Sequence, residues 1–230
     1  MPPGSTLKPF VLAALLQRGK LRPDTSFFCP TRLTIGNRRL DCTHPPLVVP
    51  MRPDTAVAYS CNCFVAHAAE QFQPGELAAE LERLGFASPT GLLTVGELSG
   101  KVTATAAPDA IRLQAIGETG VMVTPLQLAL GYRQLALKVG TPEMQPILAG
   151  LEGAVEYGTA QRARLEGTRV AGKTGSTRSP AGEPIAWFAG FLPSRAPELV
   201  ITVMLSGRSG GSDAAPVAAQ ILEAYRAGRL

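Results

Sequence analysis

Three short motifs, each present once and in one order, constrain the fold of this chain most strongly. They are Ser5-Thr6-Leu7-Lys8, Ser60-Cys61-Asn62 and Lys173-Thr174-Gly175-Ser176. At ordinary residue frequencies a lone Ser-x-x-Lys is expected by accident about once in a chain of this length. The other two motifs lower that chance further. A fold that uses them together must bring the N-terminus, the segment around residue 60 and the segment around residue 175 into one site.

The first motif has the residue types of an activated serine nucleophile. A serine hydroxyl is a weak nucleophile at neutral pH and needs a base within hydrogen-bond reach. Three positions along a helix place Lys8 on the same face as Ser5. Lys8 must lose its proton through burial or a nearby cation, for which Lys173 is the candidate. The preceding Pro2-Pro3-Gly4 predicts a helix start, where the dipole favours a developing oxyanion. The ordinary alternatives are an N-cap for Ser5 and a solvated lysine for Lys8.

The third motif lies in a predicted β-hairpin. It sits between the apolar segments 169–171 and 187–191, with the turn expected at 177–184. A glycine inside a strand costs stability and often marks a close backbone approach. We expect the substrate backbone to make that approach at Gly175. The ordinary alternative is a polar edge strand.

The chain resembles the transpeptidase domain of a penicillin-binding protein, nearest to the high-molecular-mass class B type of the serine β-lactamase/D,D-peptidase superfamily. The three motifs carry this resemblance, together with the segments 115–118, 123–129, 170–175, 186–191 and 210–217. The resemblance extends from Pro3 to Tyr225 and implies an α/β fold of the α+β type, with an antiparallel sheet flanked by helices and a helical lobe. It implies one transpeptidase domain over 1–230, with the helical lobe at about 9–160 and the sheet and closing helix at about 165–230.

One departure from the family concerns the N-terminus. In the family, strands of the central sheet precede the Ser-x-x-Lys helix, whereas Ser5 is nearly the first residue here. We therefore expect a sheet that is short of its N-terminal strands. An unpaired sheet edge lowers stability and invites pairing with another chain.

The resemblance implies four catalytic residues. Ser5 resembles the acylated nucleophile and Lys8 its base. Ser60 resembles the proton shuttle to the leaving amine, and Lys173 supports Ser60 electrostatically. Such a site attacks the D-Ala-D-Ala end of a peptidoglycan stem peptide, expels the last D-Ala and passes the acyl group to an amine of a neighbouring strand.

The resemblance also implies the substrate-binding residues Asn62, Thr174, Gly175 and Ser176. Asn62 would hold the substrate's amide side chain, and the hydroxyls of Thr174 and Ser176 would receive its terminal carboxylate. The oxyanion hole would be the backbone N–H groups of Ser5 and Ser176. The implied partners are peptidoglycan stem peptides, β-lactam antibiotics, which mimic them, and a glycan-polymerising synthase.

Two other functions are compatible with these motifs. The first is a β-lactamase on the same fold, and the second is a catalytically inactive penicillin-binding scaffold or sensor. A β-lactamase needs a residue that activates water for deacylation, such as a glutamate beside the serine. Glu97 and Glu118 are candidates by residue type, but neither has a recognisable flanking pattern. This favours slow deacylation, and therefore a transpeptidase.

The cysteines leave three alternatives open. Cys29 and Cys42 flank a predicted hairpin at 31–39, which would bring them close to each other. They are then reduced thiols, a disulfide or metal ligands. Together with His44 they would begin a structural zinc site, which needs four ligands and therefore also Cys61 or Cys63. We expect no other cofactor. Some cell-elongation penicillin-binding proteins have a comparable cysteine-containing hairpin. The remaining histidine, His67, lies at helical spacing among alanines, which predicts a packing role.

Composition limits the partners. The 230 residues are 45% hydrophobic, enough for a sizeable core, and carry a net charge of +4. The basic residues are scattered, which argues against nucleic-acid binding, whereas a basic surface suits an anionic cell wall. No apolar run is long enough to span a membrane, and Met1-Pro2-Pro3 does not begin a signal peptide. The resemblance nevertheless implies a location at the outer face of the cytoplasmic membrane or in the periplasm.

Periodicity and capping signals predict the remaining elements. We expect a strand at 199–205 in the centre of the sheet and loops bordering a groove over 85–118. Helices are expected at 6–18, 54–72 with an interruption at 60–63, 74–84, 124–138, 144–157 and 213–227.

Overall fold

The computed structural model describes residues 1–229, so Leu230, the last residue of the predicted 1–230 domain, lies outside the described range. The helices are α1 (Lys8–Gln17), α2 (Pro53–Ala58), α3 (Asn62–Ala68), α4 (Glu76–Arg83), α5 (Pro108–Ala115), α6 (Pro125–Leu137), α7 (Gln145–Glu156) and α8 (Ala215–Arg226). A short hairpin pairs β1 (Thr34–Ile35) with β2 (Arg38–Arg39), and a second antiparallel pair joins β3 (Lys101–Val102) to β4 (Val121–Met122), with α5 between them in sequence. The main sheet contains β5 (Ala171–Arg178), β6 (Pro184–Leu192) and β7 (Leu199–Ser206).

The main sheet is antiparallel, in the order β5-β6-β7. Alternate residues of β6 enter two different cores: Trp187 packs with the helices around α1, and Phe188 packs with α8. Burial on both faces explains the nearly unbroken apolar sequence of β6. The prediction that 199–205 forms the central strand is therefore wrong, because β7 lies at the edge of the described sheet and β6 occupies its centre.

Helix α1 forms the middle of the larger core. Every residue from Lys8 to Leu16 is buried, as expected for a helix that is apolar on all sides. Phe10 makes edge-to-face contacts with Phe86 and Tyr132, each with ring centroids 5.2 Å apart. The Tyr132 hydroxyl donates a hydrogen bond to the carbonyl oxygen of Thr6 at 3.0 Å. These contacts fix the turn that precedes α1, which is a 3-10 turn over Gly4–Leu7.

Helix α6 follows its sequence signals closely. Thr124 is the N-cap, its hydroxyl accepts a hydrogen bond from the Gln127 backbone N–H, and the Gln127 side chain returns one to the backbone N–H of Thr124. Pro125 occupies the first turn, and Gly140 follows the helix with a φ of 99°. The predicted helix at 124–138 is therefore confirmed to within one residue at each end.

The segment 85–118 differs from the prediction of loops. It contains β3 and the eight-residue helix α5, which starts with Pro108 and buries Ile111 and Ala115. The surrounding Gly, Thr, Ser and Pro residues obscured the helical sequence pattern of α5, which has only about two turns.

Among residues 1–229, no helix combines the length and apolar character that a bilayer crossing requires.

Candidate active site

The N-terminal segment that carries Ser5 is held against the sheet. The Met1 ammonium donates a hydrogen bond to the Val123 carbonyl oxygen at 2.7 Å, and the Trp187 indole donates one to the Pro2 carbonyl oxygen at 3.0 Å. Gly4 has a φ of 54°, which a glycine adopts without strain. Ser5 therefore has a defined place at the start of the 3-10 turn, before the helix proper. It is not an N-cap, because Pro3 occupies that position.

Gly175 faces this segment. A Cβ atom at Gly175 would lie 2.9 Å from the Pro3 carbonyl oxygen and 3.0 Å from Cγ2 of Thr6. The backbone that comes close to Gly175 on this side is thus the chain's own, and the assignment of Gly175 to substrate binding stays a prediction. Gly175 lets the strand of the third motif pack against the turn of the first.

Lys8 is completely buried and joins the first two motifs. Its ammonium donates hydrogen bonds to the Ser60 carbonyl oxygen at 2.7 Å, to Ser60 Oγ at 3.2 Å and to Asn62 Oδ1. Burial lowers the pKa of Lys8 to about 8, against the opposing influence of nearby cysteines and Glu118. The pKa of Lys8 is thus lowered, as a lysine that acts as a base requires, and burial is the main cause. Within residues 1–229 no hydrogen bond joins Lys8 to Ser5 in this state.

Ser60 has a backbone conformation that is unusual for serine. Its φ is 57°, in the left-handed region, which costs about 1 kcal/mol or more for a residue other than glycine. The residue lies between α2 and α3, and the next residue, Cys61, caps α3 by accepting a hydrogen bond from the Phe64 N–H at 3.3 Å. The predicted interruption of the helical pattern at 60–63 is found at 59–61, because Asn62 and Cys63 already belong to α3. The strained turn directs Ser60 toward Lys8.

Lys173 is the second buried lysine. It is fully enclosed, and its ammonium donates a hydrogen bond to the Thr174 carbonyl oxygen at 3.1 Å. Burial lowers the pKa of Lys173 well below its usual value, and the charge of Lys8 lowers it further. Two buried ammonium groups whose charges interact oppose each other's protonation. In the described residues Lys173 makes no hydrogen bond to Ser60, so any support for Ser60 is electrostatic.

The predicted residues meet in a groove of about 360 Å³. Ser5, Ser60, Asn62, Thr174 and Ser176 line it, while Lys8 and Lys173 lie buried. The sequence analysis missed further lining residues: Thr43, Thr159, Arg208, Ser209 and Gly211.

Two contacts around the groove have no signal in the sequence. The Thr174 and Thr159 hydroxyls lie 2.8 Å apart and form a hydrogen bond, and Ser176 Oγ accepts one from the Gly210 N–H at 3.0 Å. These contacts connect the third motif to segments far from it in sequence. They orient the two hydroxyls that were assigned to carboxylate binding.

Both the oxygen and the nitrogen of the Asn62 side-chain amide form hydrogen bonds within the protein. Its oxygen accepts from Lys8, and its nitrogen donates to the carbonyl oxygens of Leu40 at 3.0 Å and Asp41 at 3.3 Å. Asn62 therefore ties the hairpin that contains β1 and β2 to Lys8. A substrate amide would have to share these groups.

Of the two glutamates considered for deacylation, only Glu118 lines the groove. Its Oε2 accepts a hydrogen bond from the Arg38 guanidinium at 2.7 Å. The Glu97 carboxylate instead accepts from the backbone N–H groups of Thr90 at 2.6 Å and Gly91 at 2.8 Å, where it closes a surface loop.

Comparison with known proteins decides the family. Residues 1–223 match the family described as the penicillin binding protein transpeptidase domain. The chain belongs to this family. It is 28% identical to the peptidoglycan D,D-transpeptidase FtsI of Escherichia coli K12, over 96% of this chain and 42% of that protein. It is 25% identical to the peptidoglycan D,D-transpeptidase PbpA of Mycolicibacterium smegmatis, over 99% of this chain and 55% of that protein.

Solved structures confirm the predicted transpeptidase fold. Pseudomonas aeruginosa PBP2, in complex with WCK 5153, superposes with a TM-score of 0.85 at 24% identity, over 97% of this chain and 58% of that one. A chain of a peptidoglycan synthase complex that coordinates polymerization and crosslinking has a TM-score of 0.86 at 26% identity, over 98% and 46%. The penicillin-binding-protein domain described here thus spans about half the length of the relatives it matches.

This transpeptidase domain also contains a cysteine cluster beside the groove. The ligand atoms of Cys29, Cys42, His44 and Cys61 all lie within 4.8 Å of one another. All four cysteines of the chain are free, and the Cys29 and Cys42 sulfurs are 3.7 Å apart. A fifth donor, Cys63, has its sulfur 3.5 Å from that of Cys42.

The cluster has the geometry of a tetrahedral zinc site. Zn–S distances of about 2.3 Å in a tetrahedron place the sulfurs about 3.8 Å apart. The sulfur of Cys61 lies 3.4 Å from that of Cys29 and 3.7 Å from that of Cys42. His44 Nδ1 is 2.8 Å from the Pro45 carbonyl oxygen, which selects the tautomer that leaves Nε2 free to bind a metal. The donor set therefore fits zinc.

The other histidine is not part of a core. The His67 side chain is 57% exposed and stacks on Phe27 with ring centroids 4.9 Å apart. It packs as predicted, but at the surface of α3.

Proposed function

We propose that this domain is a serine-type peptidoglycan D,D-transpeptidase that forms cell-wall cross-links through an acyl-enzyme on Ser5. The observation that carries the proposal is Lys8, a fully buried lysine with a pKa of about 8, three residues from Ser5 and in hydrogen-bond contact with Ser60. A lysine in such a site loses its proton near neutral pH and can serve as a general base. Family membership and D,D-transpeptidase relatives support the same reaction.

The first half-reaction acylates Ser5. The hydroxyl oxygen attacks the carbonyl of the D-Ala-D-Ala peptide bond, and its proton passes to neutral Lys8. The backbone N–H groups of Ser5 and Ser176 would donate hydrogen bonds to the resulting oxyanion. When the C–N bond breaks, Ser60 gives its proton to the leaving amine and takes one from Lys8. The last D-Ala departs, and Ser5 keeps the acyl group as an ester.

The second half-reaction transfers the acyl group. An amine of a neighbouring strand attacks the ester, and its proton returns through Ser60 and Lys8 to the Ser5 oxygen. Thr174 and Ser176 hold the terminal carboxylate of the donor. A β-lactam enters by the same attack, but its cleaved amine remains attached, so the adduct persists.

We also propose that Cys29, Cys42, His44 and Cys61 bind one structural zinc ion. Zinc would supply a rigid cross-link between the hairpin of β1 and β2 and the loop that carries Ser60, since Cys61 is the next residue. Protein purified without chelator should contain about one zinc per chain. Cys29→Ser should lose it, and Cys63→Ser, the matched control, should keep it. Absence of metal after refolding with zinc chloride, or a Cys29–Cys42 disulfide found by mass spectrometry, would exclude the site.

The location and the protein partner follow from the proposed reaction. Stem peptides are available at the outer face of the cytoplasmic membrane or in the periplasm, so we place the domain there. The structural neighbour from a peptidoglycan synthase complex supports a glycan-polymerising synthase as the partner.

Intact-mass spectrometry with penicillin tests the enzymatic proposal. The chain should gain the mass of one penicillin and keep it for hours, and Ser5→Ala should gain nothing. Rapid loss of the adduct would instead indicate a β-lactamase. No adduct on folded protein would indicate a penicillin-binding fold without catalysis, and either result would overturn the proposal.

A further inference from the structure

Thr159, which lines the serine groove after α7, is held at a junction of three segments. Its backbone N–H donates a hydrogen bond at 3.2 Å to the carbonyl oxygen of Ala58, the last residue of α2 and two positions before Ser60. A Cβ atom at Gly211 would lie 2.6 Å from the Thr159 carbonyl oxygen, so the turn after β7 packs directly on this backbone. The side chain of Thr159 contacts the third segment, β5, at Thr174. The backbone contacts therefore fix the place of the Thr159 hydroxyl relative to β5.

The contact between Thr159 and Thr174 joins two hydroxyl groups that have one proton each. Their oxygens lie 2.8 Å apart, and within residues 1–229 the Thr159 hydroxyl has no other hydrogen-bond partner. If Thr174 donates to Thr159, Thr174 has no proton left for an anion in the groove. If Thr159 donates instead, the Thr174 proton is free to point into the groove. A bound carboxylate only accepts hydrogen bonds, so it selects the second arrangement.

Ser176 shows the same arrangement with a backbone donor. Its Oγ accepts a hydrogen bond from the Gly210 N–H at 3.0 Å, which leaves the Ser176 proton free to donate. A hydroxyl that accepts one hydrogen bond donates a stronger one, because successive hydrogen bonds polarise each other. Thr174 is only 5% exposed, so water has little access to replace the Thr159 hydroxyl as its donor. Both hydroxyls assigned to carboxylate binding thus have a donor on the protein side.

We propose that Thr159 is a positioning residue that makes the Thr174 hydroxyl a hydrogen-bond donor to the terminal carboxylate of the donor peptide. The inference rests on the proposed transpeptidase function, which assigns that carboxylate to Thr174 and Ser176. It adds a specificity role, because Thr159 then favours donors that end in a free carboxylate over donors with an uncharged end. The hydroxyl of Thr159 is the group required, since its methyl group cannot donate a proton.

Penicillin and its methyl ester test the proposal. The two compounds differ only in the carboxylate, which takes the place of the peptide's terminal carboxylate. Quenched-flow mass spectrometry measures the rate at which each compound acylates Ser5. Thr159→Val replaces the hydroxyl by a methyl group of similar size. We expect this variant to react about tenfold more slowly with penicillin, as the loss of a hydrogen bond that supports a charged ligand predicts, and the reaction with the ester should slow much less.

Matched variants separate the hydroxyl from the shape of the side chain. Thr159→Ser keeps the hydroxyl and should keep the ratio of the two rates within about twofold of the wild-type ratio. Thr103→Val makes the same hydroxyl-to-methyl change at an exposed position outside the groove and should leave the ratio unchanged. In a Thr174→Val background, Thr159→Val should no longer change the ratio, because its effect passes through Thr174. Circular dichroism confirms that each variant is folded, and Thr159→Ala takes the place of Thr159→Val if the latter does not fold.

The outcomes separate this inference from the proposed function. A variant without the Thr159 hydroxyl that slows both compounds equally, or that keeps the wild-type ratio, would overturn the role of Thr159. A change in the ratio that persists in the Thr174→Val background would also overturn it. In each of these cases, acylation of wild-type Ser5 by penicillin leaves the transpeptidase proposal standing. If folded wild-type protein reacts with neither compound, both proposals fail.

Discussion

The ammonium nitrogen of Lys8 lies 3.2 Å from the hydroxyl oxygen of Ser60, although 52 positions separate the residues in the sequence. The three hydrogen bonds of Lys8 use all three N–H groups of its ammonium. The Ser60 carbonyl and Asn62 Oδ1 only accept, whereas the Ser60 hydroxyl can also donate. Proton exchange with Lys8 can therefore pass through the Ser60 hydroxyl without breaking the other two contacts.

The rate of acylation should follow the protonation of Lys8. Its pKa is lowered to about 8, and only the neutral amine accepts the Ser5 proton. The second-order rate of penicillin acylation is expected to rise about tenfold per pH unit below pH 8 and to level off above it. Stopped-flow or quenched-flow mass spectrometry between pH 6 and 9.5 measures this. A flat profile across pH 8 would exclude Lys8 as the base.

Replacing Lys8 by methionine should abolish acylation and stabilise the fold. Below pH 8 the folded protein carries a buried charge, and this penalty is about 3 kcal/mol, from the difference between 10.5 and 8. Between these two values the unfolded chain binds more protons, so wild-type stability rises with pH. Lys8→Met should therefore unfold at higher denaturant at pH 7, and its advantage should diminish toward pH 10.5. Chemical denaturation at both pH values checks this, and a destabilised variant at pH 7 would contradict it.

The sequence alone predicted the features that depend on local interactions and the residues of the three motifs. Thr124, Pro125 and Gly140 predicted α6 because capping is local, and the three motifs predicted which residues meet in the groove. The contacts missed are long-range ones. Nothing near Gly175 in sequence indicates that Pro3 and Thr6 lie against it. The sequence offered Cys61 or Cys63 as the fourth member of a cluster with Cys29, Cys42 and His44, and only the structure distinguishes between the two. Strand β7 was placed in the sheet centre because an apolar run does not reveal which neighbours a strand has.

Gly175→Ala should impair Ser5 from the opposite side of the groove. The added Cβ would lie 2.9 Å from the Pro3 carbonyl oxygen, which is backbone and cannot rotate away. We expect a loss of about 1 to 3 kcal/mol in the free energy of unfolding and at least a tenfold drop in acylation rate, because the Ser5 turn must shift. Glu183→Ala, in the exposed hairpin turn, is the control and should change neither quantity. Wild-type kinetics in Gly175→Ala would show that the contact does not position Ser5.

Glu152 should contribute to stability without affecting catalysis. Burial alone would raise the pKa of this carboxyl, but hydrogen bonds from Arg195 and Ser194 and the charge of Arg169 outweigh burial and lower it. The stabilisation is present above the unfolded-state pKa of about 4.3 and is lost as the pH falls through the folded-state value. Glu152→Gln should lose about 1 to 3 kcal/mol at pH 7, and the loss should shrink below pH 4. Denaturation of this variant beside Glu223→Gln, an exposed glutamate on α8, measures the difference; equal stabilities would refute it.

Glu118→Gln should leave the lifetime of the penicillin adduct unchanged. Glu118 is the glutamate that lines the serine groove, but its Oε2 is held by the Arg38 guanidinium at 2.7 Å. A carboxylate engaged in that way is poorly placed to take a proton from an attacking water. The adduct on Ser5 should therefore persist for hours in the wild type and in the variant, with half-lives within twofold of each other. Glu97→Gln is the matched control, because its carboxylate only closes the loop at Thr90 and Gly91. If the wild-type adduct decays quickly and Glu118→Gln prolongs it tenfold or more, Glu118 activates water and the domain acts as a β-lactamase.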